Sequence, residues 1–315
     1  MTLTQLRLLW RMHPWEVAFV IGGALPLSLA MAVVAWQLDA TRDAVIACYE
    51  QPAEALSAQC RSAIEWGNTL ADAIGILAGA ATVAPFAAGI FLGAPLLSRE
   101  IEHRTAPMAW SLSPSRRGWL AWRTIPLLVF LSAALLLLGQ ASELMLEIAR
   151  ERELGFQEYG TFGPMLAARG LAVFGVGVLA GLSLGRVLPA LLVTALATVA
   201  IVGGMSIGRD SLMREEAEWI PVGDQADLVH MVFDQGFRPD AGGDVITWEE
   251  AFNQYPDAFD EMTGEGGPPG MTSVWKVVPP QAFGLYVARE IGVLLAAFLV
   301  AGAATVAVVR RRRPE

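Results

Sequence analysis

Six stretches of this chain, about Val17–Leu38, Ala71–Leu97, Thr124–Gln140, Leu166–Gly185, Val187–Met205 and Leu285–Val309, are almost continuously apolar. Roughly 20 apolar residues in a helix cross about 30 Å of hydrocarbon. Lipid offers no hydrogen bonds, so each stretch must satisfy its own backbone, and only a helix does that within one segment. An all-α membrane protein with six transmembrane helices follows. The third stretch is the shortest, and the fourth and fifth are divided by little more than Arg186. Composition agrees: 54% of the residues are hydrophobic and 17% are charged, against about 25% charged in soluble domains.

The basic residues decide the orientation, because positively charged loops stay cytoplasmic. With six spans both termini fall on one side. That side receives Arg7 and Arg11, Arg99, Arg104, Arg116, Arg117 and Arg123, then Arg186 and the run Arg310–Arg313. It carries 12 basic and 4 acidic residues, and the other side 10 basic and 27 acidic. The net charge of −9 therefore hides a polarised protein whose N- and C-termini are expected in the cytoplasm. An acidic chain of this kind is not a nucleic-acid binder. The apolar region around Ala30-Met31-Ala32 runs past that cleavage-like triplet, which favours a retained first span over a removed signal peptide.

Residues 1–16 read as an amphipathic interfacial helix, with Leu3, Leu6 and Trp10 on one face and Arg7 and Arg11 on another; a frayed basic flank is the alternative. Residues 17–205 hold the first five spans and the cytoplasmic loop 98–122. Residues 206–284 form an extracytoplasmic insert, and 285–315 the sixth span with a basic tail. The insert has too little apolar content for a core of its own, so helices and loops packed on the membrane domain are expected. Within it Thr247-Trp-Glu-Glu250 is a capping box that starts a helix running to about Tyr255. Cys48 and Cys60 share the first external loop, where oxidising conditions favour a disulfide over two free thiols. Gly89 and Gly93 in the second span, and Gly177, Gly181 and Gly185 in the fourth, form small-residue faces for a neighbouring helix or a second subunit.

No phosphate-binding loop, metal-ligand cluster or hydrolase motif is present in the sequence. The charges nearest membrane depth, Asp72, Arg169, Arg289 and Glu290, lie close to span ends and suit a structural role. The informative segment is the loop Ser98–Trp122. Mixed charges close the second span, a short Ala-Pro-Met-Ala-Trp-Ser-Leu stretch can form a small helix, and an Arg/Trp cluster returns the chain to the membrane. Such a mini-helix with an exposed Trp110 has the form of a docking knob for a soluble protein.

This pattern resembles the ABC-2 type permease subunits of bacterial ABC transporters. The matching residues are Gly93-Ala-Pro95, Arg99-Glu100-x-Glu102-x-x-Thr105, Ala109-Trp110-Ser, Arg116-Arg117-x-Trp119 and Arg123, with Pro279–Phe283, Glu290 and the terminal arginines at the other end. Arg104 departs from the pattern, since the family usually has a glycine before the threonine. The resemblance implies a permease without enzymatic activity of its own in a bacterial plasma membrane, moving an amphipathic or hydrophobic substrate outward. It also implies a second permease subunit, and a separate ATP-binding subunit that carries ATP and Mg; this chain itself needs no cofactor. Arg99, Glu100, Glu102, Arg104, Thr105, Trp110, Arg116 and Arg117 would couple that subunit to the spans. The rival reading is a six-span sensor or scaffold that recognises a ligand through residues 206–284. It leaves Arg99–Arg123 without a role.

Overall fold

The computed structural model of the protein describes residues 14–49, 57–112, 115–150, 156, 159–222, 231–259 and 267–311. Leu3, Leu6, Arg7, Trp10 and Arg11 of the expected interfacial helix lie outside the described residues, as do Arg312 and Arg313. Among the described residues, six long helices are apolar enough to cross a membrane. They are α1 (Pro14–Tyr49), α2 (Ala58–Glu102), α4 (Arg116–Arg150), α5 (Gly163–Leu184), α6 (Val187–Glu216) and α8 (Phe283–Arg311). A short helix α3 (Ala106–Leu112) separates α2 from α4.

Most of these helices are far longer than the apolar stretches that mark them. The stretch Thr124–Gln140 sits inside the 35 residues of α4, and the expected external loop after Gln140 is helical through Arg150. Hydrophobicity reports only where the lipid is; polar residues beyond it continue the same helix in water. On α1 the exposed Trp15 and Trp36 are separated by about 31 Å of helix, the hydrocarbon thickness at whose edges tryptophan collects. Past Trp36, α1 runs on to Cys48, which is disulfide-bonded to Cys60 at the start of α2 with a Cα–Cα distance of 5.3 Å. Val45 packs over Gly67 between them, so the two helix ends form a clamped hairpin.

The chain divides into two units. The first, Met1–Leu154, Gly160–Ile201 and Arg289–Glu315, is centred on α5. Its apolar window is 78% buried, against 17–28% in the other five spanning helices. Helix α5 packs on α2 through both glycine faces at once. A Cβ added at Gly93 would stand 2.5 Å from the Phe174 carbonyl oxygen, and one at Gly177 2.8 Å from the Ala94 nitrogen. Gly181 faces the Ala94 carbonyl and Gly89 faces Val173 in the same way. The two small-residue faces found in the sequence are thus partners of each other within one subunit. Where lipid removes the hydrophobic drive between helices, such close approach supplies the attraction through dispersion. Helix α4 closes over α5 at Gly139 and Gly163, which are in backbone contact. Glu143 of α4 accepts the Gly163 N–H at 2.6 Å, so a carboxylate sits on the positive N-terminus of α5. Around this centre lie Leu92, Leu97, Leu127, Leu131, Leu138, Leu166 and Phe174, all nearly fully buried.

Arg169 of α5 donates to Glu290 of α8 at 2.7 and 3.1 Å and to the Gly160 carbonyl at 3.2 Å. Both side chains are about nine-tenths buried, so this pair fixes α8 to the central helix. Gly185, with φ 65°, ends α5 in the left-handed conformation that lets the chain turn straight into α6.

The second unit, Gly155–Tyr159 and Val202–Ala288, corrects the expectation of a helical insert. It contains a four-stranded antiparallel sheet in the order β1-β4-β2-β3. The strands are β1 (Glu218–Pro221), β2 (Met231–Pro239), β3 (Ile246–Thr247) and β4 (Met271–Val278), with helix α7 (Trp248–Gln254) after β3. Apolar content was the wrong guide here. Cross-strand backbone bonds order a sheet with a small core, and β4 (Met-Thr-Ser-Val-Trp-Lys-Val-Val) is rich in the β-branched residues that strands favour. The core is Phe237, Ala251 and Phe259 with Ile246 and Met271 against them. At Gly236 an added Cβ would meet the Ile246 carbonyl at 2.5 Å, which is how closely β2 and β3 approach. The capping box forms as read from the sequence: Thr247 Oγ1 accepts the Glu250 N–H, and the Glu250 carboxylate accepts the Thr247 N–H at 2.9 Å. The Thr247 N–H and the Thr247 hydroxyl, which donates to the same carboxylate at 3.0 Å, hold the Glu250 carboxyl below its ordinary range.

Candidate functional site

The segment between α2 and α4 is short and heavily tied. Helix α2 ends at Glu102, and the chain reverses through His103 and Arg104. The Thr105 N–H donates to the Glu100 carbonyl at 2.9 Å and the Arg104 N–H to the Ile101 carbonyl at 3.1 Å. This is the hydrogen-bond pair of a helix C-terminus that requires a left-handed residue. Arg104 supplies it with φ 57°, the one non-glycine residue with positive φ among the described residues. The departure from glycine seen in the sequence therefore falls at the position where glycine is favoured on steric grounds.

The last turn of α2 sends three charged side chains to three different helices. Arg99 reaches Glu16 of α1 at 3.4 Å. Glu100 pairs with Arg123 of α4, and its second carboxylate oxygen is buried without a hydrogen-bond partner. Glu102 accepts the backbone N–H of Val187, the first residue of α6, at 2.9 Å. A carboxylate there satisfies one of the free amides of a helix N-terminus and faces its positive dipole. Exposed ion pairs such as Arg99–Glu16 contribute little alone. Together, though, the three contacts make the end of α2 a junction for α1, α4 and α6.

Helix α3 lies against the start of α4. Ser115 Oγ accepts the Gly118 N–H at 3.0 Å, capping α4. Trp119 meets Trp110 edge-on at 5.8 Å, with the Arg116 guanidinium 5.1 Å over the Trp110 ring. Trp110 is therefore a half-buried packing residue, not the exposed knob expected from the sequence. Its indole nitrogen and that of Trp119 are buried without an acceptor. Met108 of α3 is exposed, at 69% of its full exposure. Periodicity over seven residues is too short to tell which side of such a helix faces out. Thr105 bonds its own turn, its hydroxyl donating to the Glu100 carbonyl, while Arg117 is exposed and lines a cleft described below.

A family model described as ABC-2 membrane transporter related matches residues 22–208, which include the junction apart from Glu16 and make up more than half of the chain. The chain belongs to that family. It is thus a multi-pass ABC-2 permease of an ABC transporter, a role that brings association with an ATP-binding subunit. The match runs from α1 into α6 and leaves the β-sheet unit and α8 outside. No curated protein and no solved structure matches the chain. Two parts of the permease's junction were not readable from its sequence: Glu16 and Val187 stand more than 80 residues from their partners, and no local pattern points to them.

Proposed function

We propose that this permease forms the membrane pathway of an ATP-driven exporter in a bacterial plasma membrane. Its termini and the α2–α3–α4 junction face the cytoplasm, and residues 206–284 face outward. Two permease chains and two ATP-binding subunits make the assembly, with ATP and Mg held by the ATP-binding subunits. The cargo is an amphipathic or hydrophobic molecule, in keeping with spans lined by Ala, Leu, Val, Gly and Phe.

The observation that supports the coupling role is the three-way grip of α2. Closure of the ATP-binding subunits against Met108 and α3 would push on a turn already bonded to α1 through Arg99, to α4 through Glu100 and to α6 through Glu102. Trp110 and Trp119 would transmit the same push into α4 by direct packing. Because α2 and α5 are in backbone contact, the buried centre would follow as a rigid body, and alternating access results.

The test uses the permease co-expressed with its ATP-binding subunit. Glu102→Ala removes the cap on α6, at a cost of about 0.5–2 kcal/mol. The expected result is a complex that assembles and hydrolyses ATP but exports at least tenfold more slowly. Trp110→Ala is expected to weaken assembly itself. Normal assembly, hydrolysis and export in both variants would remove the coupling role from this segment.

A further inference from the structure

Helices α4, α5 and α8 do not meet along their full length. Between them lies a cleft of about 370 Å³ lined by Arg117, Thr124, Phe174, Gly175, Phe298 and Gly302 among others. The lining is apolar apart from three side chains, and two of these are already engaged: Thr124 Oγ1 donates to the Leu120 carbonyl at 2.9 Å and Thr305 Oγ1 to the Ala301 carbonyl at 2.8 Å. The remaining polar group of the lining is the exposed Arg117 guanidinium, at the end where α4 begins.

The dimensions select the occupant. Along α4 the lining runs from Arg117 to Leu128, about 16 Å at the rise of a helix. Spread over that length, the space open to the centre of a water molecule is about 5 Å across, or about 8 Å between the wall atoms once a water radius of about 1.4 Å is added on each side, whereas a helix with its side chains needs about 10 Å. The cleft is too narrow for a helix of a second subunit, and it admits one extended hydrocarbon chain. Its walls belong to membrane-spanning helices, so the solvent that fills it is lipid. A single cation stands at one end, at the depth where arginine meets headgroups.

We propose that this cleft is a binding site for one acyl chain of an anionic phospholipid from the surrounding leaflet, with the headgroup phosphate on Arg117. The bound chain would complete the packing of α8 against α5, and the charge on Arg117 would make the site prefer anionic over zwitterionic lipid. The proposal needs only the membrane-spanning helices, not the coupling role argued above, and its test requires no ATP-binding subunit.

The full-length permease in membranes is exposed to phosphatidylglycerol or phosphatidylcholine carrying a photoactivatable diazirine midway along one acyl chain, and labelled residues are mapped by mass spectrometry. Labelling is expected at Leu128, Phe174 and Phe298, about fivefold stronger for phosphatidylglycerol. Arg117→Gln should bring the two lipids to parity, and Arg117→Lys should restore most of the preference. Gly302, where an added Cβ meets nothing within 4 Å, offers a way to fill the cleft: Gly302→Phe should reduce labelling by both lipids at least tenfold, and Gly302→Ala should not. Labelling of the lipid-exposed Leu192 and Leu196 of α6 serves as the internal standard. The proposal is overturned if the cleft residues label no more than Leu196, if Gly302→Phe leaves their labelling unchanged, or if Arg117→Gln keeps the phosphatidylglycerol preference.

Discussion

A single methyl group at Gly93 tests the packing on which the membrane unit depends. The added Cβ would lie 2.5 Å from the carbonyl oxygen of Phe174 and 3.1 Å from its Cα, both backbone atoms that no rotamer change can move. Carbon and oxygen in comfortable contact stand about 3.3 Å apart, so α2 and α5 must separate locally by about 0.8 Å. A gap of that size forfeits a quarter to a half of the attraction of each atom pair it opens. Ala94, Gly177 and Gly181 share the same contact zone. The cost for Gly93→Ala is therefore set near the middle of the overpacking range, about 2 kcal/mol, which in a chain of this length lowers Tm by about 3 °C. Gly79 lies on the same helix with nothing within 4 Å of an added Cβ. Gly79→Ala should leave Tm unchanged or raise it slightly, because alanine is the better helix former. Thermal unfolding of the full-length protein in mild detergent, followed by tryptophan fluorescence, compares the two. Equal melting temperatures would refute the claim that backbone contact at Gly93 holds α2 to α5.

At the α2–α3 turn, Arg104→Gly relieves a left-handed arginine and should slow proteolysis of the turn, a net gain of about 0.5–1 kcal/mol after glycine's extra freedom in the unfolded chain; Arg104→Val should do the reverse. For the buried pair, Arg169→Met alone should cost about 3–5 kcal/mol by removing the ion-pair partner of a buried carboxylate, while the double replacement Arg169→Met with Glu290→Met recovers most of it, as read by detergent melting. Glu250 is held below its ordinary pKa of 4.5 by its bonds to Thr247, so its contribution is full above that value and disappears as pH falls through the lower folded value. The protection of amides at the start of α7, taken relative to their intrinsic exchange rates, should fall over that acidic window, and in Glu250→Ala this protection should no longer change with pH there.

The six spans were legible because lipid demands long apolar helices, and nothing else in the chain mimics them. The ends of those helices were not legible, since Glu143 and Glu147 continue α4 in water as readily as leucine does in lipid. The glycine faces at Gly89/Gly93 and Gly177/Gly181 were visible as faces, but only tertiary structure pairs them. The β-sheet unit was missed because hydropathy counts burial and not strand pairing; the alternation in β2 is blurred by the irregularity between Val232 and Asp234. At the junction, the charges and tryptophans of one loop stand out in the sequence as a group. Their partners do not, because Glu102 caps a helix that begins 85 residues later, and Trp110 turns inward onto Trp119 where the sequence pattern alone suggested an outward knob.

The central claim is that α3 is where the ATP-binding subunit docks, and proximity measures it most directly. A photo-crosslinking amino acid at Met108 in the full permease, co-expressed with its ATP-binding subunit, should yield a crosslink to that subunit in membranes. The same probe at the exposed Phe252 of the β-sheet unit should yield none. A crosslink from Phe252 and not from Met108 would contradict the account.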